Sequence, residues 1–347
     1  MSPSRQRADG GVDWAGAARL GGRLASPGPT APRAELERMV ADLRTAAVRA
    51  LPLATRAARL GTLVAGHPPA RVLVVDRPGW ARAAADSFAG LSVGSDLTAG
   101  GGGRGGTLQV AGLLGLLAGR VLGQFDPFAA AEPGGRLLLV APNLLHLRRA
   151  MGVDASDLHL WVCVHEQTHA LQFAAAPWLA GHLRAALGAV LDTERADGSA
   201  PARTGGPATA LRALRGGEQG DGLGLLGLAL DPDQRREVER IAAVMSLLEG
   251  HADVTMDSVP SSVIPTKPVL RARLDARRRA TGWDAVLRRV IGLDAKLLQY
   301  RRGADFVRGV RRSGGRSALE AVWAGPHALP SPAELLDPPA WVARVHG

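Results

Sequence analysis

"WVCVHEQTHALQF", residues 161–173, sets two histidines four positions apart with a glutamate directly after the first. No Pro or Gly interrupts the chain between Leu158 and Phe173. Leu160, Val164, Leu171 and Phe173 form an apolar stripe beside the polar residues, so the stretch reads as a buried helix. Residues i and i+4 share a helix face, so His165 and His169 can turn their imidazoles to a single point. Glu166, about 100° further round, can reach a water held at that point. The pattern points to Zn²⁺ on two neutral imidazoles, with Glu166 as the catalytic base that takes a proton from the water.

A third ligand has to come from elsewhere, and "DPDQRREVERIAAVMSLLEGHADVTMD", residues 231–257, is the best source. Asp231 as N-cap, Pro232 at the first helical position and Gln234 three residues after the cap open a helix there. Ile241, Val244, Met245, Leu248 and Ala252 supply its core face. Glu249 stands at the edge of that face, where a carboxylate is costly unless it is paired or binds a metal. Asp253, one turn on, points the same way and is the candidate to accept the free ring N–H of a metal-bound histidine. His251 competes with Glu249, but two positions amount to roughly 200° of helix rotation, so both cannot face one ion. Glu249 is favoured. His146, His159, His182 and His327 read as hydrogen-bonded structural residues.

Around this centre the chain is a 347-residue sequence with 46% hydrophobic residues, enough for a real core. Cys163, the single cysteine, is expected buried and reduced, which with the absence of a signal-peptide pattern suggests a cytoplasmic protein. A site holding a structural zinc would usually use four protein ligands, often cysteines, so one cysteine favours an open position for water. "VAGLLGLLAG" at 110–119 is too short to span a membrane. The net charge of +10 is spread along the chain, and "RARLDARRR" at 271–279 lacks interleaved aromatics, so neither a nucleic-acid nor a membrane partner is expected.

The expected fold is mainly α with a small β component. Residues 1–10 read as a disordered tail and 11–347 as one domain, with a helical part at 11–135 and a metal-site part at 136–347 that carries a flexible insert at 195–222. Residues 31–61 read as two helices divided at Pro52. "RVLVVDRPGW" at 71–80 reads as a strand ended by a turn, and "RLLLVAPN" at 136–143 as a second strand. "TAGGGGRGG" at 98–106 reads as flexible, followed by an apolar helix running to "LGQFDPF".

Further stretches, from end to end, carry a resemblance. They are "VDW" at 12–14, "VVDRPGWARA" at 74–83, "VLGQFDPF" at 121–128, "LLLVAPN" at 137–143, "WVCVHEQTHALQFAAAPWL" at 161–179, "MSLLEGHADVTMD" at 245–257, "GLDAKLLQYRRGADFV" at 292–307 and "WVARV" at 341–345. Together they resemble a bacterial family of zincin-like hydrolases, labelled zinc-dependent metalloproteases and associated with biosynthesis of the deazaflavin coenzyme. Phe125 departs from the tyrosine usual in that family and removes a hydroxyl. The resemblance implies a zincin-like metallopeptidase fold with zinc at His165, His169 and Glu249, and it assigns no biosynthetic step.

The expected activity is therefore hydrolysis of a peptide or protein by zinc-activated water. "LLLVAPN" is expected to supply the edge strand that pairs with an extended substrate. Tyr300, the one tyrosine in the chain, is the candidate oxyanion donor, with a structural phenol as the alternative. A zincin fold that binds zinc as a non-catalytic module is the alternative function.

Overall fold

Leu137, Leu138, Leu139 and Val140 are all fully buried, and a strand of such residues has to be covered on both faces. The computed structural model describes residues 12–92, 103–129, 132–191, 232–280, 303–315 and 317–347. In it β3, Arg136–Val140, is the middle of a three-stranded sheet. It pairs in parallel with β1, Arg71–Val75, and antiparallel with β2, Gly123–Asp126.

The helices are α1 Trp14–Leu24, α2 Arg33–Ala58, α3 Arg77–Ser92, α4 Gly103–Ala118, α5 Ala141–Met151, α6 Ala155–Ala175, α7 Trp178–Leu191, α8 Pro232–Ser258, α9 Lys267–Ala280, α10 Gly303–Ser313 and α11 Pro338–His346. The mainly helical fold with a small sheet is as the sequence suggests. Side chains alternate across a strand. Leu138 and Val140 therefore join the core formed with α1, α3 and α4, while Leu137 and Leu139 join the larger core with α2, α6, α8 and α10. The larger core thus draws on α2 as well as on helices that follow the sheet in sequence. No helix among the described residues is long and apolar enough to cross a membrane.

Several local expectations are corrected. Residues 33–58 form one helix rather than two, because Pro52 lies on its exposed side, where the carbonyl left without an N–H partner can be solvated. On the other side Leu43, Ala47, Ala50 and Ala54 are fully buried, and these mostly small side chains let α2 pack along α6. Gln167 Nε2 donates to Ala47 O across that contact at 3.0 Å. The Arg-Pro-Gly turn is the first turn of α3, where Asp76 Oδ1 accepts from Gly79 N at 2.6 Å as a cap. Gly103–Gly106 belong to α4. Residues 98–102, the tail at 1–10 and the insert at 195–222 lie outside the described residues.

"GQFD" forms a strand that the sequence reading does not include, and its Gly123 lies against Glu166. β2 is pinned at both ends. Asn143 Nδ2 donates to Val121 O at 2.7 Å and Ala118 O at 2.8 Å, while its Oδ1 accepts from Arg77 Nε at 2.7 Å. At the other end buried Asp126 pairs with Arg136 Nε at 2.7 Å and accepts from Ser87 Oγ at 2.5 Å. The edge strand beside α6 is thus β2, and "LLLVAPN" supplies the sheet's centre and the start of α5.

Candidate metal centre

Asp154 caps α6 by accepting from Asp157 N at 2.9 Å, and the helix then runs unbroken beneath β2. His165 and His169 emerge one turn apart, with their Nε2 atoms 3.1 Å from each other. From α8, Glu249 brings Oε2 to 3.4 Å from His165 Nε2 and Oε1 to 3.5 Å from His169 Nε2. The three residues form a group able to hold a metal ion. For bonds of about 2.0–2.1 Å, two ligands of a tetrahedral zinc stand roughly 3.3 Å apart, so the separations have the size of that polyhedron's edges.

The proton positions follow from the partners. Leu248 O can only accept, so the Gln172 amide turns its Nε2 toward it, at 2.9 Å. Gln172 Oε1 then faces His169 Nδ1 at 2.8 Å, which places a proton on Nδ1, so that in the neutral ring Nε2 is a bare acceptor. His165 Nδ1 meets the Met256 sulfur at 3.2 Å, another acceptor, so its Nε2 is bare as well. Two lone pairs and a carboxylate facing one point repel one another unless a cation stands between them. The donor set therefore fits a divalent metal.

The electrostatics agree. Burial would lower the His169 pKa, but the facing Glu249 carboxylate outweighs it and raises it to about 9. Crowding by the surrounding protein opposes ionisation of Glu249, although about half of its side chain stays exposed, and the two histidines overcome it and hold Glu249 well below the usual carboxylate range. The pocket demands positive charge. Glu166 is different: it is buried, and burial raises its pKa against the lowering pull of His165, His169 and a Phe125 N–H bond. It lies directly under β2, where a Cβ on residue 123 would stand 2.6 Å from Glu166 Cγ and 2.7 Å from its Oε1. Only glycine fits there.

The sequence model of the Zincin-like metallopeptidase family matches residues 12–342. The chain belongs to that family. A crystal structure from Chloroflexus aurantiacus, described as "a putative hydrolase with a novel fold", is similar to this zincin-like protein at 28% identity and a TM-score of 0.65. The match covers 96% of this chain and 98% of that one. No curated protein matches it.

Other expected site residues of this zincin-like protein are placed as follows. His251 is buried, and its Nδ1 lies 3.1 Å from Gln172 Nε2 rather than at the histidine pair. Asp253 does not reach a ring N–H. It pairs with Arg271 at 3.2 Å, and the same guanidinium takes Asp257 at 2.6 Å. Gln172 does the work given to Asp253, and its spacing three residues after His169 on the same helix was the available signal. Met245 is exposed rather than part of the α8 core face, which runs through Ala243, Val244, Leu247 and Leu248. Gln234 donates to Val190 O at 3.0 Å. His159 is buried but has no hydrogen-bond partner at either nitrogen, contrary to expectation. Cys163 is a buried free thiol whose pKa burial raises. Tyr300 and Asp231 lie outside the described residues.

Proposed function

We propose that this protein is a zinc-dependent metallopeptidase of the glutamate-zincin type, with His165, His169 and Glu249 as ligands and Glu166 as general base. The observation that carries the reading is the meeting of three acceptor atoms at tetrahedral-edge distances beside a buried carboxylate. When bound, zinc supplies Lewis acidity, which lowers the pKa of water and polarises a carbonyl. Glu166 takes the proton on its carboxylate and later hands it to the departing amine. Burial raises its pKa, which makes it a stronger base toward that proton than an exposed carboxylate.

β2 is placed to orient the substrate. Val140 N bonds Leu122 O at 2.9 Å, so by antiparallel alternation Leu122 faces β3 while Gly123 and Phe125 face away from it. The Phe125 N–H reaches Glu166, and the remaining outward groups can pair with an extended peptide. A peptide or protein is therefore the proposed substrate. The deazaflavin association adds no step to this proposal.

The test compares wild type with Glu166→Gln for zinc content and for cleavage of a mixed peptide library. The reading requires one zinc in both and a loss of turnover on the order of 10²–10⁴-fold in the variant. Zinc in both with no turnover in either would favour the non-catalytic binding module.

A further inference from the structure

A cavity of about 430 Å³ opens beside the metal centre, within the range of roughly 300–1,000 Å³ typical of small-molecule pockets. Ala170 and Ala174 of α6 form part of its lining, together with Phe125, Pro127 and Phe173. Five prolines line it and no Asp, Glu, Lys or Arg does. The Gln167 amide at its margin is already engaged by Ala47 O. Thr55 and His67 are the other polar side chains of the lining, so a charged side chain entering this space would lose most of its hydration, whereas an apolar one would gain from burial.

Two independent elements set the distance from the reacting centre. Along α6, Glu166, Ala170 and Ala174 follow one another at four-residue intervals on one ridge, so the cavity begins one turn, about 6 Å, beyond Glu166. Along β2, Gly123 covers Glu166 and Phe125 walls the cavity, two residues or about 6.6 Å further on. Phe125 belongs to both places. Its N–H is directed at the Glu166 carboxylate, and its ring packs against Phe173 at 5.5 Å between centroids.

An extended peptide on the outer edge of β2 repeats every two residues on one face. We propose that this cavity is the specificity pocket of the site and takes a leucine- or phenylalanine-sized side chain about two residues along the substrate from the cleaved bond. The inference rests on the metallopeptidase reading for the position of that bond.

The experiment uses the zinc-loaded full chain carrying Glu166→Gln and fluorescently labelled hexapeptides that differ at one position by Phe, Leu, Ala or Asp, scanned along the peptide. Anisotropy should show Phe and Leu peptides bound at least about tenfold tighter than Ala or Asp at one position. Adding Ala170→Trp, which fills the cavity, should bring that ratio close to one while zinc content stays the same. Ala174→Leu provides a milder filling should the tryptophan variant fail to fold. A ratio that survives filling in a folded variant overturns the pocket, as does an absence of any preference. Cleavage by wild type is measured on the same peptides. Preference and its loss without cleavage would refute the peptidase and retain an apolar peptide pocket; cleavage indifferent to the residue and to filling would refute the pocket and retain the peptidase.

Discussion

His169 Nδ1 and Gln172 Oε1 stand 2.8 Å apart, and Gln172 is itself held by Leu248 O and His251 from the opposite helix. The neutral ring is thereby fixed in the tautomer that offers Nε2 to a metal. Gln172→Leu should weaken zinc binding about 10–100-fold, measured by chelator competition. An affinity equal to wild type would remove Gln172 from the metal centre.

Gly123 leaves room for Glu166 and for nothing larger. Gly123→Ala pushes its methyl into the Glu166 carboxyl group, and a displacement of about 1 Å in a reacting group costs on the order of 10²-fold in rate. The variant should keep its zinc and lose turnover of the best library peptide by that factor. Unaltered turnover would mean that Glu166 is not the base.

Gly250 and Gly303 put α8 and α10 in backbone contact one residue from Glu249, and a Cβ on either would collide with the other helix's main chain. Gly303→Ala should cost about 1–3 kcal/mol or more in denaturant unfolding, by the strain of overpacking. It should also weaken zinc binding, because Glu249 moves with Gly250.

Burial pushes His159 down to about 4, and neither ring nitrogen has a partner. An unfolded histidine titrates near 6.5. Between those values the unfolded chain takes a proton that the native ring refuses, so stability falls as pH falls from 6.5 to 4 and this loss levels off below 4. The contribution is roughly 3 kcal/mol, from 2.5 pH units at about 1.4 kcal/mol each. His159→Leu should therefore gain on wild type as pH drops through this window, read as the difference between two urea titrations. A constant difference would show that His159 ionises alike in both states.

What was legible in the sequence was the local chemistry of two helices. His165, Glu166, His169 and Glu249 could be read because helical periodicity fixes which residues share a face: α6 contains no Pro or Gly, and α8 has Pro only at its first position and runs on unbroken through Gly250. Contacts between elements were less accessible. Asp253 lies one turn beyond Glu249, but Arg271 from α9 claims it, and one-dimensional spacing carries no trace of that partner. "GQFD" is a four-residue strand whose alternation is too short to register, and its place depends on Asn143 and Arg136 elsewhere in the chain. Pro52 was read by its propensity, whereas the burial of one α2 face against α6 overrides it.

The measurement that bears most directly on the account is zinc-edge anomalous diffraction from crystals of the purified protein. A single peak about 2.0–2.2 Å from His165 Nε2, His169 Nε2 and a Glu249 oxygen is the result the account predicts. No peak there, or one held instead by His251 or Asp253, would contradict it.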